Sequence, residues 1–296
     1  TSITLSHNKN SVKKLTGEDV QLWEANFGYS QNTHIIGVNQ PLGQMYGYVT
    51  DGLYQVSDFD YDAATKTYTL KDGVPYAGEK GNVKPGMWKF KNIDGSKDNK
   101  ITEADKTVIG NAYPKIYGGI NNTFTYKDFD LSIFLTYSIG NDVFNATKLT
   151  NTKTALQNKN VLAVADSKHR WVLVNKAGDL ITDPQEMADI NKGKTVAAIY
   201  DNEAGDTYIH SWAVEDGSFL KLSNITLGYT FPKKMIRKVG LSKLRLYATG
   251  SNLLTWTKYS GFDPEVSTMG NGLTPGVDFG AYPRSRAFVF GINLAF

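Results

Sequence analysis

The stretch Ala287-Phe-Val-Phe-Gly-Ile-Asn-Leu-Ala-Phe296 carries the plainest structural signal in the sequence. Phe288, Phe290, Ile292, Leu294 and Phe296 take every even position, and Ala287, Val289, Gly291, Asn293 and Ala295 take the odd ones. Side chains of a strand alternate between its faces, so this segment reads as a strand with one apolar face and one face of mostly small residues. The same period recurs at Ile116, Gly118, Ile120, Phe124 and Tyr126, broken only by Asn122. After Lys127-Asp128 it resumes as Phe129, Leu131, Ile133, Leu135, Tyr137 and Ile139, which predicts a long hairpin. Further alternation runs through Ile225, Leu227, Tyr229 and Phe231, then through Leu244, Leu246 and Ala248 to Leu254 and Trp256. Ile3 and Leu5 end another strand, with a partner expected within Ile36–Tyr48. The expected fold is all-β and antiparallel, with strands over 1–7, 38–50, 115–126, 129–139, 218–231, 244–257 and 286–296.

Composition narrows what such a sheet can be. The 296 residues include 28 Gly, 17 Tyr and 14 Phe, a β-rich signature, and no Cys. A disulfide framework, a thiolate zinc site and a cysteine nucleophile are therefore excluded. A formal charge of +3 gives no basis for a nucleic-acid partner. No apolar run approaches the ~20 residues of a membrane helix. Membrane β-barrels remain open, because their alternating strands average out as polar. A soluble sandwich also alternates. The 115–126 and 129–139 runs, however, exceed the ~5–6 residues of common soluble strands and meet the ~9–11 that cross a bilayer with tilt.

Connections alternate as well. Short ones (Asn8–Lys14, Lys127-Asp128 and the basic Pro232–Lys243, with Lys233, Lys234, Arg237 and Lys238) alternate with long ones (51–114, 140–217 and 257–285), as in outer-membrane barrels. Tyr126, Phe129, Phe231 and Phe296 form an expected aromatic belt at the short-turn side, and Tyr117, Tyr137, Trp256 and Phe288 one at the other. Thr1–Leu5 has neither the basic start nor the apolar core of a signal peptide, so a mature chain or a piece of a longer one is expected.

One motif carries chemistry. Asp94-Gly-Ser-Lys-Asp-Asn-Lys-Ile-Thr-Glu-Ala-Asp105 places oxygen donors at positions 1, 3, 5, 9 and 12 of a twelve-residue loop: Asp94, Ser96, Asp98, Thr102 and Asp105. The Lys100 carbonyl falls at position 7, which completes the ligand spacing of a calcium loop of EF-hand type. Asn99 replaces the usual Gly at position 6, and Asn enters the left-handed region more readily than most residues. Asp105 is shorter than the usual Glu at position 12. An Asp/Asn/Gly-rich turn is the competing reading. The four histidines (His7, His34, His169 and His210) have no metal-ligand spacing and read as surface or loop residues. No phosphate-binding glycine loop or nucleophile elbow is present, and no pattern argues for an enzyme.

The order of motifs resembles one family. Pro41-Leu-Gly-Gln-Met-Tyr-Gly-Tyr-Val-Thr-Asp-Gly-Leu-Tyr-Gln55 comes first, followed by the Asp94–Asp105 loop, Thr107-Val-Ile-Gly-Asn111 and Gly140-Asn-Asp-Val-Phe-Asn145. Then come Val214-Glu-Asp-Gly-Ser-Phe-Leu-Lys-Leu-Ser-Asn-Ile-Thr-Leu-Gly-Tyr-Thr-Phe-Pro232, Ser251-Asn-Leu-Leu-Thr-Trp-Thr-Lys-Tyr-Ser-Gly-Phe-Asp-Pro-Glu265 and Gly280-Ala-Tyr-Pro-Arg284. This is similar to the C-terminal part of SusC/RagA-type TonB-linked outer-membrane transporters, the Bacteroidetes nutrient importers.

The resemblance implies a 22-stranded barrel with an N-terminal plug; barrels of that size hold a plugged lumen. It implies import of glycans or peptides, a SusD-like surface lipoprotein over the barrel, and energy from TonB. About seven strands and no plug are expected in this chain. The rest of the transporter and the lipid bilayer then become necessary partners, with the long loops facing outside. Within those loops Trp212, Tyr259, Phe262 and Tyr282 are candidate contacts for substrate or partner. Arg286–Phe296 is expected to be the final barrel strand, its even residues facing lipid. Its terminal aromatic resembles an outer-membrane assembly signal. The alternative is a soluble, calcium-stabilised β-domain that recognises carbohydrate.

Overall fold

The computed structural model describes residues 1–25, 31–152, 160–198, 208–268 and 271–296. Its largest sheet is an antiparallel meander of β1 (Ser2–Ser6), β2 (Ile116–Tyr126), β3 (Phe129–Ile139), β4 (Phe219–Thr230), β5 (Lys243–Thr257) and β6 (Ala287–Ala295), in that order. The β2–β3 hairpin closes in two residues. Lys127 adopts φ +53°, the left-handed turn that matches the twist of the flanking strands, and the pairing begins at Tyr126 opposite Phe129.

Register turns the alternation of each strand into rows across the sheet. Phe124, Leu131, Leu227, Ala248 and Phe290 lie in one row, and Tyr126, Phe129, Tyr229, Leu246 and Ile292 in the next. Toward the other end the row is Leu5, Gly118, Tyr137, Leu220 and Trp256. This outer face is nearly continuous hydrocarbon and aromatic surface. Phe124 is 55% exposed, Leu227 51%, Phe290 80% and Ile292 64%. A contiguous apolar patch of that extent is foreign to the water-facing surface of a monomer. At the short-turn end Phe129 lies 4.7 Å from Tyr229, and Tyr229 lies 4.9 Å from Phe231, ring to ring.

The opposite face is polar. Thr123, Ser132, Thr226, Thr249 and Val289 form one of its rows, and Thr125, Asp130, Gly228, Tyr247 and Gly291 another. Tyr117 belongs to this face, in the row of Ser6, Ser138 and Phe219, so it is not part of an outer aromatic belt.

The segment 38–50 is not a strand of this sheet. Gln44–Tyr48 pairs with Lys106–Asn111 and Asn32–Gly37, and Val20–Glu24 completes a separate four-stranded sheet. The partner of β1 is β2, paired from Ser2 opposite Asn121 to Ser6 opposite Tyr117. Among the described residues the meander therefore has six strands, and Asn8–Lys14 opens one excursion that runs from Ser6 to Ile116 instead of turning back. Gln44–Tyr48 is as apolar and aromatic as a barrel strand, and periodicity alone cannot tell two buried sheets apart. The histidine reading also changes: His34 and His210 are buried, 0% and 1% exposed.

Among the described residues the meander does not close: β1 and β6 each pair on one side only, and no helix is long and apolar enough to cross a membrane. All three long connections leave from the same end of the sheet, and the two short ones lie at the other.

The two faces can be tested on one strand. An Arg at Ile292 would face the apolar side, and one at Val289 the polar side. Asn293 is a poorer control, because it lies directly opposite Arg245. Ile292→Arg should cost ~2–4 kcal/mol more than Val289→Arg in a bilayer. Urea titrations of both variants refolded into lipid vesicles will show it.

Candidate functional site: the polar wall and its loop layer

The inner face is built from hydroxyls, amides and ion pairs that satisfy one another across strands. Thr136 Oγ1 and Ser223 Oγ lie 2.7 Å apart, Thr226 Oγ1 and Thr249 Oγ1 2.9 Å, and Asn224 donates to Ser251 Oγ at 2.9 Å. Near the short-turn end Arg245 on β5 reaches over β4 to Asp130 on β3. Its Nε donates to Oδ1 at 2.9 Å and its Nη2 to Oδ2 at 2.6 Å, the two-pronged geometry of the strongest charge-assisted pairs. Gly228 makes room for it: a Cβ there would sit 2.4 Å from Arg245 Nη2 and 2.5 Å from Asp130 Oδ1.

At the opposite end the wall is tied to the connection that follows β5. Lys221, buried at 4% exposure, donates to Glu265 at 2.6 Å. Arg284 lies 3.1 Å from the same Glu265 carboxylate and 3.0 Å from Asp263. Between this connection and the wall lies a cavity of about 440 Å3, bounded by Tyr117, Thr136 and Phe219 on one side and Pro264–Ser267 on the other. Asp142 also borders it. Burial pushes the Asp142 carboxyl above its ordinary range, against a hydrogen bond from the Asn111 amide. The cavity presents aromatic faces beside acidic and hydroxyl groups, which suits a ligand rich in hydrogen-bonding groups with some apolar surface.

The three long connections are not separate loops. Ala25 and Met45 from the first, Phe144, Leu149, Ile209 and Ala213 from the second, and Val277 from the third share one buried cluster. The strand Asp142–Asn145 pairs with Val214–Asp216 on one side and with Val277–Asp278 on the other. Glu215 joins the second and third connections. It accepts from Ser260 N and Oγ at 2.8 Å each and pairs with Lys148 at 3.0 Å. Burial raises its carboxyl, but these partners more than offset that and hold it below its ordinary value.

His34 joins the first connection to the third. Its Nε2 lies 3.0 Å from the Pro275 carbonyl and its Nδ1 2.8 Å from Thr33 Oγ1. Burial pulls its pKa down to about 4, against the Pro275 contact, so the imidazole is neutral near pH 7, with Nε2 donating and Nδ1 accepting.

Only two of the four aromatic candidates are surface groups. Phe262 and Tyr282 are 76% and 91% exposed. Phe262 borders a second cavity of about 360 Å3, between the second and third connections, with Leu162, Val164 and Ala281. Tyr259 is buried instead, and its hydroxyl donates to Asp278. Trp212 packs against the shared cluster, with its ring 4.8 Å from Trp88 and Lys148 Nζ 4.1 Å from its centroid. Their hydroxyl and cation partners lie far off in sequence, so spacing gave no hint of them.

The calcium-like loop takes its predicted backbone but does not gather its carboxylates. Asn99 has φ +57°, the left-handed value that position 6 demands. Asp105 is 0% exposed, and both its oxygens are occupied: Oδ1 by the amides of Ile93 (2.7 Å) and Asp94 (3.2 Å), Oδ2 by that of Thr102 (2.8 Å). Asp94 Oδ1 accepts from Ser96 N (2.7 Å), while Asp98 Oδ1 accepts from Ser96 Oγ (2.8 Å) and Lys100 N (3.0 Å). Thr102 Oγ1 accepts from Ala104 N at 3.2 Å. Among the described residues no group of three His, Cys, Asp or Glu side chains is placed to hold a metal ion. The loop closes through Asp105, an interaction that the ligand spacing also encodes.

Comparisons with known proteins fit this architecture. No family model matches the chain. It is 30% identical over 303 residues to TonB-dependent receptor P3 of Formosa agariphila, covering all of this chain and 26% of that receptor. It is 26% identical over 299 residues to TonB-dependent receptor SusC of Bacteroides thetaiotaomicron, covering 24% of it. Among solved structures, the RagAB peptide transporter shares its fold at a TM-score of 0.62 and 21% identity, over 99% of this chain and 26% of that one. The RagAB peptide importer in its closed-closed state gives 0.60. Over its whole length the chain is thus similar to part of TonB-dependent receptors, SusC among them, and it shares its fold with part of the RagAB transporter. It spans about a quarter of the length of the curated relatives it matches.

Two predictions follow from this geometry. Asp105→Ala strands three amides and should raise local opening of the 93–105 loop by at least about 2 kcal/mol, read as faster hydrogen exchange at Ile93, Asp94 and Thr102. For His34, the folded value lies below the ordinary ~6.5, so the unfolded chain binds the proton first as pH falls. The stability contributed by the neutral ring is complete above about pH 6.5 and is lost between there and about pH 4, by about 3 kcal/mol in all. Exchange protection in the shared cluster should fall across that window in the native protein and change much less in His34→Gln.

Proposed function

We propose that this chain is the C-terminal part of an outer-membrane importer barrel. Its six-stranded sheet is a section of the barrel wall, with β1 and β6 continued by other strands of the same receptor. The apolar outer face, continuous over every strand and backed by a polar inner face, carries this reading. Unpaired edges within lipid would leave amides and carbonyls without partners, so the wall must be continued on both sides. The soluble carbohydrate-binding alternative would leave the outer face in water.

The likeness to the RagAB peptide transporter and to SusC supports import of peptides or glycans driven through TonB. It also supports a SusD-like surface lipoprotein seated over the loop layer. Phe262 and Tyr282 are the candidate contacts on that side. The protein serves as a passage and a binding surface, without catalysis. Calcium enters the proposal only as an exchange of partners in the 94–105 loop: Asp94, Ser96, Asp98, Thr102, Asp105 and the Lys100 carbonyl would hold the ion, and Asp105 would give up its amides. Proteolysis of the loop that is identical with and without chelator rejects that exchange.

The assembled receptor should fractionate with outer membranes and migrate as a heat-modifiable barrel. Uptake of labelled oligopeptides or oligosaccharides should cease when TonB is removed. A product soluble without detergent, or uptake indifferent to TonB, refutes the proposal.

A further inference from the structure

The connection between β4 and β5 carries a feature that a simple turn does not need. Lys233–Ile236 forms a single helical turn, Arg237–Val239 continues it, and Gly240 ends it at φ +75°. Lys233, Lys234, Arg237 and Lys238 are all exposed, and among the described residues none of the four forms an ion pair with an acidic side chain. Lys243, just beyond, lies in a row of the polar inner face opposite Ala295 and is not part of this group. Ile236 is buried and anchors the turn. Met235 and Val239, four residues apart and so on one side of the turn, stand 60% and 70% exposed.

Position gives these residues their meaning. The turn springs from Phe231, whose amide donates to the Leu244 carbonyl at 2.9 Å, directly beyond the outer-face aromatics Phe129 and Tyr229. Two bare apolar side chains among four bare cations, at the rim of a lipid-facing wall, match an interfacial segment. In such a segment the apolar pair dips into the acyl boundary while the cations stay at headgroup level. Clustered cations at that level are drawn to anionic lipid.

We infer that residues 232–240 form a binding site for anionic phospholipid in the leaflet at the short-turn side of the barrel. This rests on the membrane reading of the wall. Charge complementarity names the occupant: a phosphodiester headgroup with no compensating ammonium leaves the cations paired, whereas a zwitterionic headgroup brings its own cation.

The test uses the assembled receptor in lipid nanodiscs, with photoactivatable phosphatidylglycerol or phosphatidylethanolamine of identical chains. Labelling by the glycerol lipid should map to 232–240. It should fall at least about tenfold in K233Q/K234Q/R237Q/K238Q and fall also in high salt. Equal labelling by the two lipids, or undiminished labelling of the quadruple variant, overturns the site. Labelling that maps elsewhere while the barrel stays inserted and heat-modifiable also overturns the site and leaves the membrane reading intact. A receptor that fails to insert at all overturns both.

Discussion

Backbone hydrogen bonding across the six-stranded sheet is the constraint on which this molecule depends, and the proposed place of that sheet in a membrane makes it strict. A strand inside hydrocarbon has no water to satisfy its amides, so each must meet a neighbour on both sides. Antiparallel pairing does this for β2 to β5, and two short connections keep successive strands adjacent. Once the strands are paired, the period of two assigns every residue a side. The sequence needs only to alternate for one face of the sheet to be apolar and the other polar. Ser223 on β4 and the Asn252–Leu253 pair on β5 interrupt the register at one level without mixing the faces. Irregularity is therefore tolerated along the strands, provided that pairing across them is kept.

The wall's polar side is held differently. Interactions there are specific and far apart in sequence: Arg245 with Asp130 through the space left by Gly228, and both Lys221 and Arg284 with Glu265. Isolated charges in a partly enclosed place would be costly, and pairing removes most of that cost. The same logic fixes the loop layer, where Glu215 and His34 connect segments that are distant along the chain.

These differences explain what the sequence made legible. Local periodicity located β2, β3, β4, β5 and β6, because burial on one face leaves a mark every second residue. It misassigned Gln44–Tyr48, since a strand of a small buried sheet leaves the same mark. It also placed Tyr117 on the wrong side, where only register decides. The Asp94–Asp105 spacing located a closed loop and the left-handed Asn99, but the partners of Asp105 proved to be amides. Trp212 and Tyr259 were visible as aromatics in long connections. What made them interior was contact with Trp88, Lys148 and Asp278, and no local pattern records a contact of that range.

The shared cluster of Met45, Phe144, Leu149, Ile209 and Val277 has a consequence for how the molecule is assembled. It is buried within the loop layer itself, whereas the wall, on the proposed reading, is complete only within a bilayer. On that reading the chain contains two cooperative units that answer to different solvents. The loop layer can consolidate in aqueous surroundings, but its three segments are closed into loops only when the strands beneath them have paired. Strand pairing brings the loop ends together, and the cluster in turn favours that pairing by holding the same ends close. Folding of the loop layer and of the wall is therefore mutually reinforcing.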